Sequence, residues 1–186
     1  INDEDIRTYP LDELNKLMGY VPQQGVLFSG DVESNMHIGK ENADIEMINE
    51  ALDIAQIKSF VEQSEDGIHH RIDQGGANVS GGQKQRLSIA RALIKKPKIY
   101  IFDDSFSALD YRTDKMLRNA LKEKTADALK VIVGQRIGTI LDAEQIIVLE
   151  AGEIVGIGSH HKLMETCETY QDIAQGQLSK EELSHV

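Results

Sequence analysis

Asn78-Val79-Ser80-Gly81-Gly82-Gln83-Lys84-Gln85-Arg86-Leu87-Ser88-Ile89-Ala90-Arg91-Ala92-Leu93 is the stretch on which the reading of this chain turns. Ser80 is a helix-capping residue, and Leu87, Ile89, Ala90, Leu93 and Ile94 are apolar. A helix is therefore predicted from about Gly82 to Lys95, with Pro97 as its stop. Gly81 and Gly82 behind the cap let the backbone approach a ligand closely. The free N–H groups of a first helical turn point outward, and the helix dipole favours negative charge there. Taken alone, Ser-Gly-Gly reads first as an ordinary turn and only second as a phosphate site.

Downstream, the apolar run Ile99-Tyr100-Ile101-Phe102 ends in Asp103 and Asp104. This predicts a buried parallel strand with carboxylates at its carboxyl end. One such carboxylate can hold Mg²⁺ through water and its neighbour can orient an attacking water, although a solvated acidic turn explains the segment equally well. Upstream, Leu17 to Val21 predicts a strand closed by Pro22, and Gln23 on its own is a solvated loop residue. Phe28 to Asp31 opens a mostly helical region. Ile45, Ile48, Leu52 and Ala55 recur at helical spacing within Asp44 to Val61, with Asp44 in the first turn. Ser64 to Gly76 is polar and predicts a loop. Thr113 to Ala128 predicts a helix with Met116, Leu117, Ala120 and Leu121 on one face. Val131 to Val133 predicts a second buried strand, followed by Gly134-Gln135. Ile146–Leu149 and Ile154–Ile157 predict a hairpin joined through Ala151-Gly152. The tail from His160 reads as an amphipathic helix, then polar to Val186. Alternating strands and helices argue for an α/β sheet, and no internal repeat is evident.

Length and composition bound the function. The 186 residues, 40% apolar, suffice for one domain with a core, or one plus a small insert. A net charge of −11 disfavours a sequence-independent grip on nucleic acid. Cys167 is the one cysteine, so no internal disulfide forms and a reducing compartment fits. It lies in the polar stretch Met164 to Thr169 and reads as a bystander thiol. His69, His70, His160 and His161 read as surface histidines. No apolar run approaches the ~20 residues needed to cross a bilayer. The start, Ile1-Asn2-Asp3-Glu4-Asp5, is acidic where a signal peptide would be basic. Without an initiator methionine, the chain reads as a piece of something longer.

As a whole, residues 78–93 closely resemble the signature motif of ATP-binding-cassette (ABC) ATPases, in which leucine more often stands at the place of Val79. Ile99 to Asp104 resembles the Walker B segment, and Ser107-Ala108-Leu109-Asp110 resembles the D-loop that crosses a nucleotide-sandwich dimer. Tyr20-Val21-Pro22-Gln23, about 57 residues before Ser80, resembles the Q-loop. Val26 to Asn35 and Asp73-Gln74-Gly75-Gly76 resemble the exporter branch, where the second segment meets the coupling helices. The hairpin followed by Gly158-Ser159-His160 resembles the end of an exporter nucleotide-binding domain. The resemblance covers nearly the whole chain.

The resemblance implies an α/β fold: a partial P-loop NTPase (RecA-like) sheet from residues 1–28 and 97–186. An all-α signature subdomain, 29–96, would be inserted into it, with the Walker A strand and a transmembrane domain upstream. It implies ATP and Mg²⁺ as cofactors. Val79, Ser80, Gly81, Gly82, Gln83 and Asp110 would contact nucleotide, Asp103 and Gln23 the metal, and Asp104, Gln135 and Gln23 would serve catalysis. The implied partners are a second ABC nucleotide-binding domain and transmembrane coupling helices, with no nucleic acid, at the cytoplasmic face of the cell membrane. The implied function is ATP-driven export.

Three features depart from the family pattern. No Gly-x-x-x-x-Gly-Lys-Ser/Thr string occurs, so the isolated chain is expected to bind ATP poorly and to expose an unpaired sheet edge. Asp104 stands where hydrolysing members carry glutamate. Its carboxylate sits roughly 1 Å back, a displacement that can cost ~100-fold in rate. Gln135 replaces the switch histidine, and an amide can hydrogen-bond a phosphate but cannot relay a proton. With the signature well kept, the pattern resembles the degenerate-site subunit of a heterodimeric exporter. Family drift with slow retained activity is the alternative. A soluble ABC ATPase of DNA repair or translation, or a truncated chain inactive alone, stays open beside the exporter reading.

Overall fold

The computed structural model describes residues 1–177. Its contacts group into two compact units, Ile1–Val133 and the residues from Gly134 onward.

The first unit is organised by a three-stranded parallel sheet. Strand β1 (Met18–Val21) pairs with the strand Ile99–Asp103, which pairs in turn with Leu129–Val133. The central strand is the apolar run that ends in the two aspartates, as its sequence predicts. The register sets Tyr20 against Ile101 and Ile101 against Val131. Side chains alternate between faces. Val21, Tyr100 and Phe102 are therefore buried on one face, while Tyr20, Leu129, Val131 and Val133 lie exposed on the other. This corrects one expectation: 131–133 is not a buried strand. Within this unit the sheet is packed on one face only, and the apolar residues of the last strand fall on the open one.

Strand β2 (Gly30–Asp31) leads into α2 (Val32–Gly39), which follows α1 (Leu11–Leu17) in the chain. Asp31 caps α2 by accepting the Ser34 N–H. Helix α3 (Ile45–Ile54) is capped by Asp44, which lies just outside the first turn in which it was expected. The helix predicted across 44–61 breaks at Gln56, whose φ is 58°. The Ile57 N–H bonds the Leu52 carbonyl (2.9 Å) and the Gln56 N–H that of Asp53 (2.9 Å). This is a left-handed helix cap filled by glutamine instead of glycine. It separates α3 from α4 (Lys58–Glu62), and the buried Leu52 and Ile57 flank it.

The predicted loop 64–76 contains two 3-10 turns, Gly67–His69 and Gln74–Gly76, and strand β3 (Arg71–Ile72), antiparallel to β2. Two-residue strands carry no hydrophobic pattern, so the sequence does not announce them. Helix α5 (Gly81–Leu93) follows, then β4 (Ile99–Asp103), α6 (Tyr111–Lys124) and β5 (Leu129–Val133). Helix α6 stops short of Ala128 because Thr125 leaves helical geometry and turns its hydroxyl back to the Leu121 carbonyl (2.6 Å).

The second unit holds α7 (Ile137–Ile140), the hairpin β6 (Ile146–Glu150) and β7 (Glu153–Gly158), and helices α8 (His160–Thr166) and α9 (Glu168–Gln177). Ala151 (φ 50°) and Gly152 (φ 86°) make the two-residue hairpin turn, whose twist matches the strands it joins. Ile137, Ile146, Val148, Leu163, Cys167, Tyr170 and Ala174 form its core. Cys167 is buried in this core, with Gly156 close against its sulfur. One expectation is corrected here: His160 is not a surface histidine but is buried, its Nδ1 2.7 Å from the Tyr170 hydroxyl. The amphipathic period continues beneath a polar-looking sequence. The polar tail expected to Val186 lies outside the described residues.

Candidate active site

The site begins where β1 and β4 end. Both strands run the same way, so both deliver their next residues to the carboxyl edge of the sheet, where open α/β sheets present ligand-binding groups. There the Gln23 amide Nε2 donates to Asp104 Oδ2 (3.3 Å), and the Tyr20 hydroxyl donates to Asp103 Oδ2 (3.0 Å). The hydrogen bond to Asp103 comes first, then burial and that carboxylate's charge, in holding the Tyr20 phenol above its usual range. Ser105, fully buried, bridges the carbonyls of Val21 (2.9 Å) and Asp103 (3.3 Å) and fixes the two strand ends together.

Asp104 is in the left-handed region (φ 45°), which few residues other than glycine enter, aspartate and asparagine among them. Its N–H bonds the Val133 carbonyl (2.8 Å), and its own carbonyl accepts from the Ser107 N–H (3.3 Å) and hydroxyl (2.8 Å). The backbone around the acid is thus tied to β5 and to the following turn.

The start of α5 is the second component. Ser80 accepts the Gln83 N–H (3.2 Å), and the Gln83 side chain accepts the Ser80 N–H (2.8 Å), a reciprocal capping box. The N–H groups of Gly81 and Gly82 precede the first that an intrahelical bond can satisfy and are left for a ligand. Val79 and Gln83 are half-buried; Ser80 and Gly81 are exposed. The Ser107–Asp110 turn lies beside this helix start. A Cβ placed on Gly82 would be 3.6 Å from the Ala108 carbonyl. Asp110 caps α6 through the Thr113 N–H (3.0 Å), and its hydrogen bonds with Thr113 hold its carboxyl below the usual range.

Residues from the two components meet through Gln85. It is buried, accepts the Gly25 N–H (2.8 Å) and donates to the Pro22 carbonyl (3.1 Å). One α5 side chain therefore holds the backbone on both sides of Gln23. Arg86 bonds the carbonyls of Gly82 and Gln56, which fixes α5 to the break between α3 and α4. Arg91 reaches the Val26 carbonyl (2.8 Å) and lies over the Phe28 ring.

The structure thus gathers Gln23, Asp103 and Asp104 at one sheet edge and places Ser80 to Gln83 beside Asp110's turn. Gln135 belongs to the second unit. It is exposed there, and its carbonyl takes the Gln177 amide (2.7 Å) while Gln177 Oε1 takes the Ile137 N–H (2.9 Å). Tyr20, Gln85 and Ser105 escape a motif-based reading. Gln85 and Ser88, three apart on an otherwise apolar helix face, carry a signal that could have found the first of the α5 contacts.

The donor set fits the implied ligands. Two carboxylates and an amide oxygen are the hard oxygen donors that Mg²⁺ takes together with water. Unsatisfied backbone N–H groups at a helix start suit phosphate.

The family profile for ABC transporters matches residues 1–107. The chain belongs to the ABC transporter family. It is 43% identical over 176 residues to an uncharacterized ABC transporter ATP-binding protein of Mycobacterium bovis, covering 93% of this chain and 30% of that protein. It is 40% identical over 181 residues to the uncharacterized ABC transporter ATP-binding protein YfiB of Bacillus subtilis, covering 97% and 31%. A Rickettsia typhi chain described as an export ATP-binding/permease protein is 38% identical over 179 residues, covering 96% and 31%. Among solved structures, a bacterial Atm1-family ABC exporter with ATP bound superposes with a TM-score of 0.91 at 30% identity, over 97% of this chain and 32% of that one. The chain thus spans about a third of the length of the proteins it matches. The mixed α/β fold with its parallel sheet is that of an ABC nucleotide-binding domain fragment of the P-loop NTPase class. ABC ATP-binding domains as a class bind ATP with Mg²⁺, hydrolyse ATP, and act in pairs with transmembrane domains. Among the described residues no helix is long and apolar enough to cross a membrane.

Proposed function

We propose that this chain is part of the nucleotide-binding domain of an ATP-driven exporter, working at the cytoplasmic face of the membrane beneath a transmembrane domain. Residues 29–96 form its signature subdomain, and 1–28 with 97–186 its share of the ATPase core. The observation that carries the reading is the Gln23–Asp104 contact beside Asp103: residues about 80 apart in sequence meet at the carboxyl edge of a parallel sheet. Mg²⁺, when bound, neutralises charge on the transferring phosphoryl group. Asp103 and Gln23 hold it, and Gln23 also keeps the Asp104 carboxylate in place. Asp104 orients the attacking water and accepts its proton. Val79, Ser80, Gly81, Gly82, Gln83 and Asp110 face the nucleotide of a partner domain, where the helix-start N–H groups stabilise the charge that develops on the γ-phosphate.

The same residues support an asymmetric pair. Asp104 offers a short acid and Gln135 an amide in place of an imidazole, so the site on this chain's own nucleotide is slow. The signature at Ser80 is intact and serves a different partner's faster site. The combined exchange Asp104→Glu with Gln135→His should raise ATP turnover of the heterodimer well above the parent rate. An unchanged rate would count against the asymmetric reading while leaving the nucleotide site in place.

A further inference from the structure

Tyr20 is not among the groups through which the motifs assign chemistry, yet its hydroxyl makes a long-range side-chain contact at the sheet edge, as Gln23 does beside it. In register it stands against Ile101. Asp103 is two residues further along β4, so the phenol and the carboxylate are diagonal neighbours on one face of the parallel pair. The hydroxyl lies 3.0 Å from Asp103 Oδ2. The base of the contact is firm, since the Ser105 hydroxyl bridges the backbone carbonyls of Val21 and Asp103.

We propose that Tyr20 is a positioning residue for the metal-binding carboxylate: its hydroxyl fixes one oxygen of Asp103 and so fixes where the other can point. An aspartate at a strand end otherwise swings about its terminal torsion, which has a broad, roughly two-fold preference. Anchoring Oδ2 removes that freedom before any ligand arrives. Outer-sphere partners of metal-binding carboxylates act in this way, and their loss typically costs 10–100-fold in metal affinity. Tyrosine suits the task because its rigid ring carries the donor across the strand spacing, which serine or threonine on β1 would not span. The proposal rests on the reading of Asp103 as the metal-linked aspartate.

The test uses Mn²⁺ as the probe, bound together with a non-hydrolysable ATP analogue to the native full-length protein and followed by electron paramagnetic resonance. Tyr20→Phe keeps the ring and deletes the donor. It should weaken Mn²⁺ binding about 10-fold, with analogue affinity in chelator unchanged and thermal stability unchanged. Asp103→Asn is the companion variant. If Asp103→Asn weakens Mn²⁺ binding and Tyr20→Phe does not, the positioning role is overturned and the site reading survives. If Asp103→Asn leaves Mn²⁺ binding intact, the site reading falls and the Tyr20 role with it. A loss of analogue affinity in chelator with Tyr20→Phe would mark a general structural role and would also overturn the proposal.

Discussion

Replacing Gln85 by methionine should release the loop that carries Gln23. Methionine matches the length of glutamine and fills irregular space, so no cavity cost arises. What it deletes are two hydrogen bonds. The Gly25 N–H, 2.8 Å from Gln85 Oε1, is buried. A Cβ on Gly25 would come within 3.0 Å of the Lys84 carbonyl, so the backbone there is pressed against α5 with little room for water. Leaving that donor unpaired costs ~1–3 kcal/mol, and the Pro22 carbonyl, which is half-exposed, forfeits ~0.5–1.5 kcal/mol. The sum is roughly 1.5–4.5 kcal/mol. At ~2–4 °C per kcal/mol for a chain of this size, the melting temperature falls by roughly 3–18 °C. Amide exchange gives a local readout. If exchange at Gly25 proceeds through opening of this loop, it speeds by about 10- to 1,600-fold, since ~1.4 kcal/mol is tenfold. Turnover should drop by up to ~100-fold if Gln23 moves ~1 Å from Asp104. A change below ~0.5 kcal/mol, the size expected for an unremarkable substitution, together with unaltered exchange at Gly25, would refute the claim that Gln85 supports this loop.

Other perturbations separate structural from chemical roles. Gly39→Ala would drive a Cβ into the Arg91 carbonyl, where α2 meets α5, and should destabilise by ~1–3 kcal/mol in urea titration. Ser80→Ala removes the α5 cap and should cost ~1 kcal/mol, whereas Ser80→Gly should cost a few tenths. If the hydroxyl contacts phosphate, both variants lose turnover; if it only caps, turnover follows stability. Burial, then the charge of His161, pushes the His160 imidazole below its usual range. Between that lowered value and the ordinary ~6.5, the unfolded chain binds more protons, so stability rises with pH and is lost on acidification. Melting at pH 7.5 and 5.5 should show a larger loss for the parent than for His160→Gln.

The elements legible in the sequence are those whose burial follows a simple period. Tyr100 and Phe102 alternate with half-exposed neighbours, and Ile48, Ala51, Leu52 and Ala55 fall three or four apart, so β4 and α3 announce themselves. The gaps arise where a single polar contact decides the local path. At the break, the Gln56 carbonyl is taken by Arg86, 30 residues away, and no local signal reports that contact. Strands β2 and β3 are two residues each and exist only as a pair. His160 looks like a surface residue until Tyr170, on the next helix, buries it. The exposed β5 residues show the limit of pattern reading. Val131-Ile132-Val133 has the composition of an inner strand, yet composition cannot state which face another element covers.

The candidate site shows the same division. The aspartates, the helix cap and Gln23 are visible because their chemistry depends on residue type and spacing. Tyr20, Gln85 and Ser105 are not, because each acts through a partner more than 60 residues away or on another strand. Asp104 joins the two levels. The aspartate looks like a loss of reach when compared with glutamate. The left-handed backbone at this position adds a second consideration, since a short side chain with local hydrogen-bonding capacity is tolerated there better than a long one. The bonds to Val133 and Ser107 that hold this conformation are made by the Asp104 backbone and not by its side chain. A glutamate must therefore accept the strain to gain its extra methylene. On the role proposed for Asp104, conformational ease and reach toward the attacking water pull in opposite directions at this residue, and the proposed asymmetric pair corresponds to the chain having kept the first at the expense of the second.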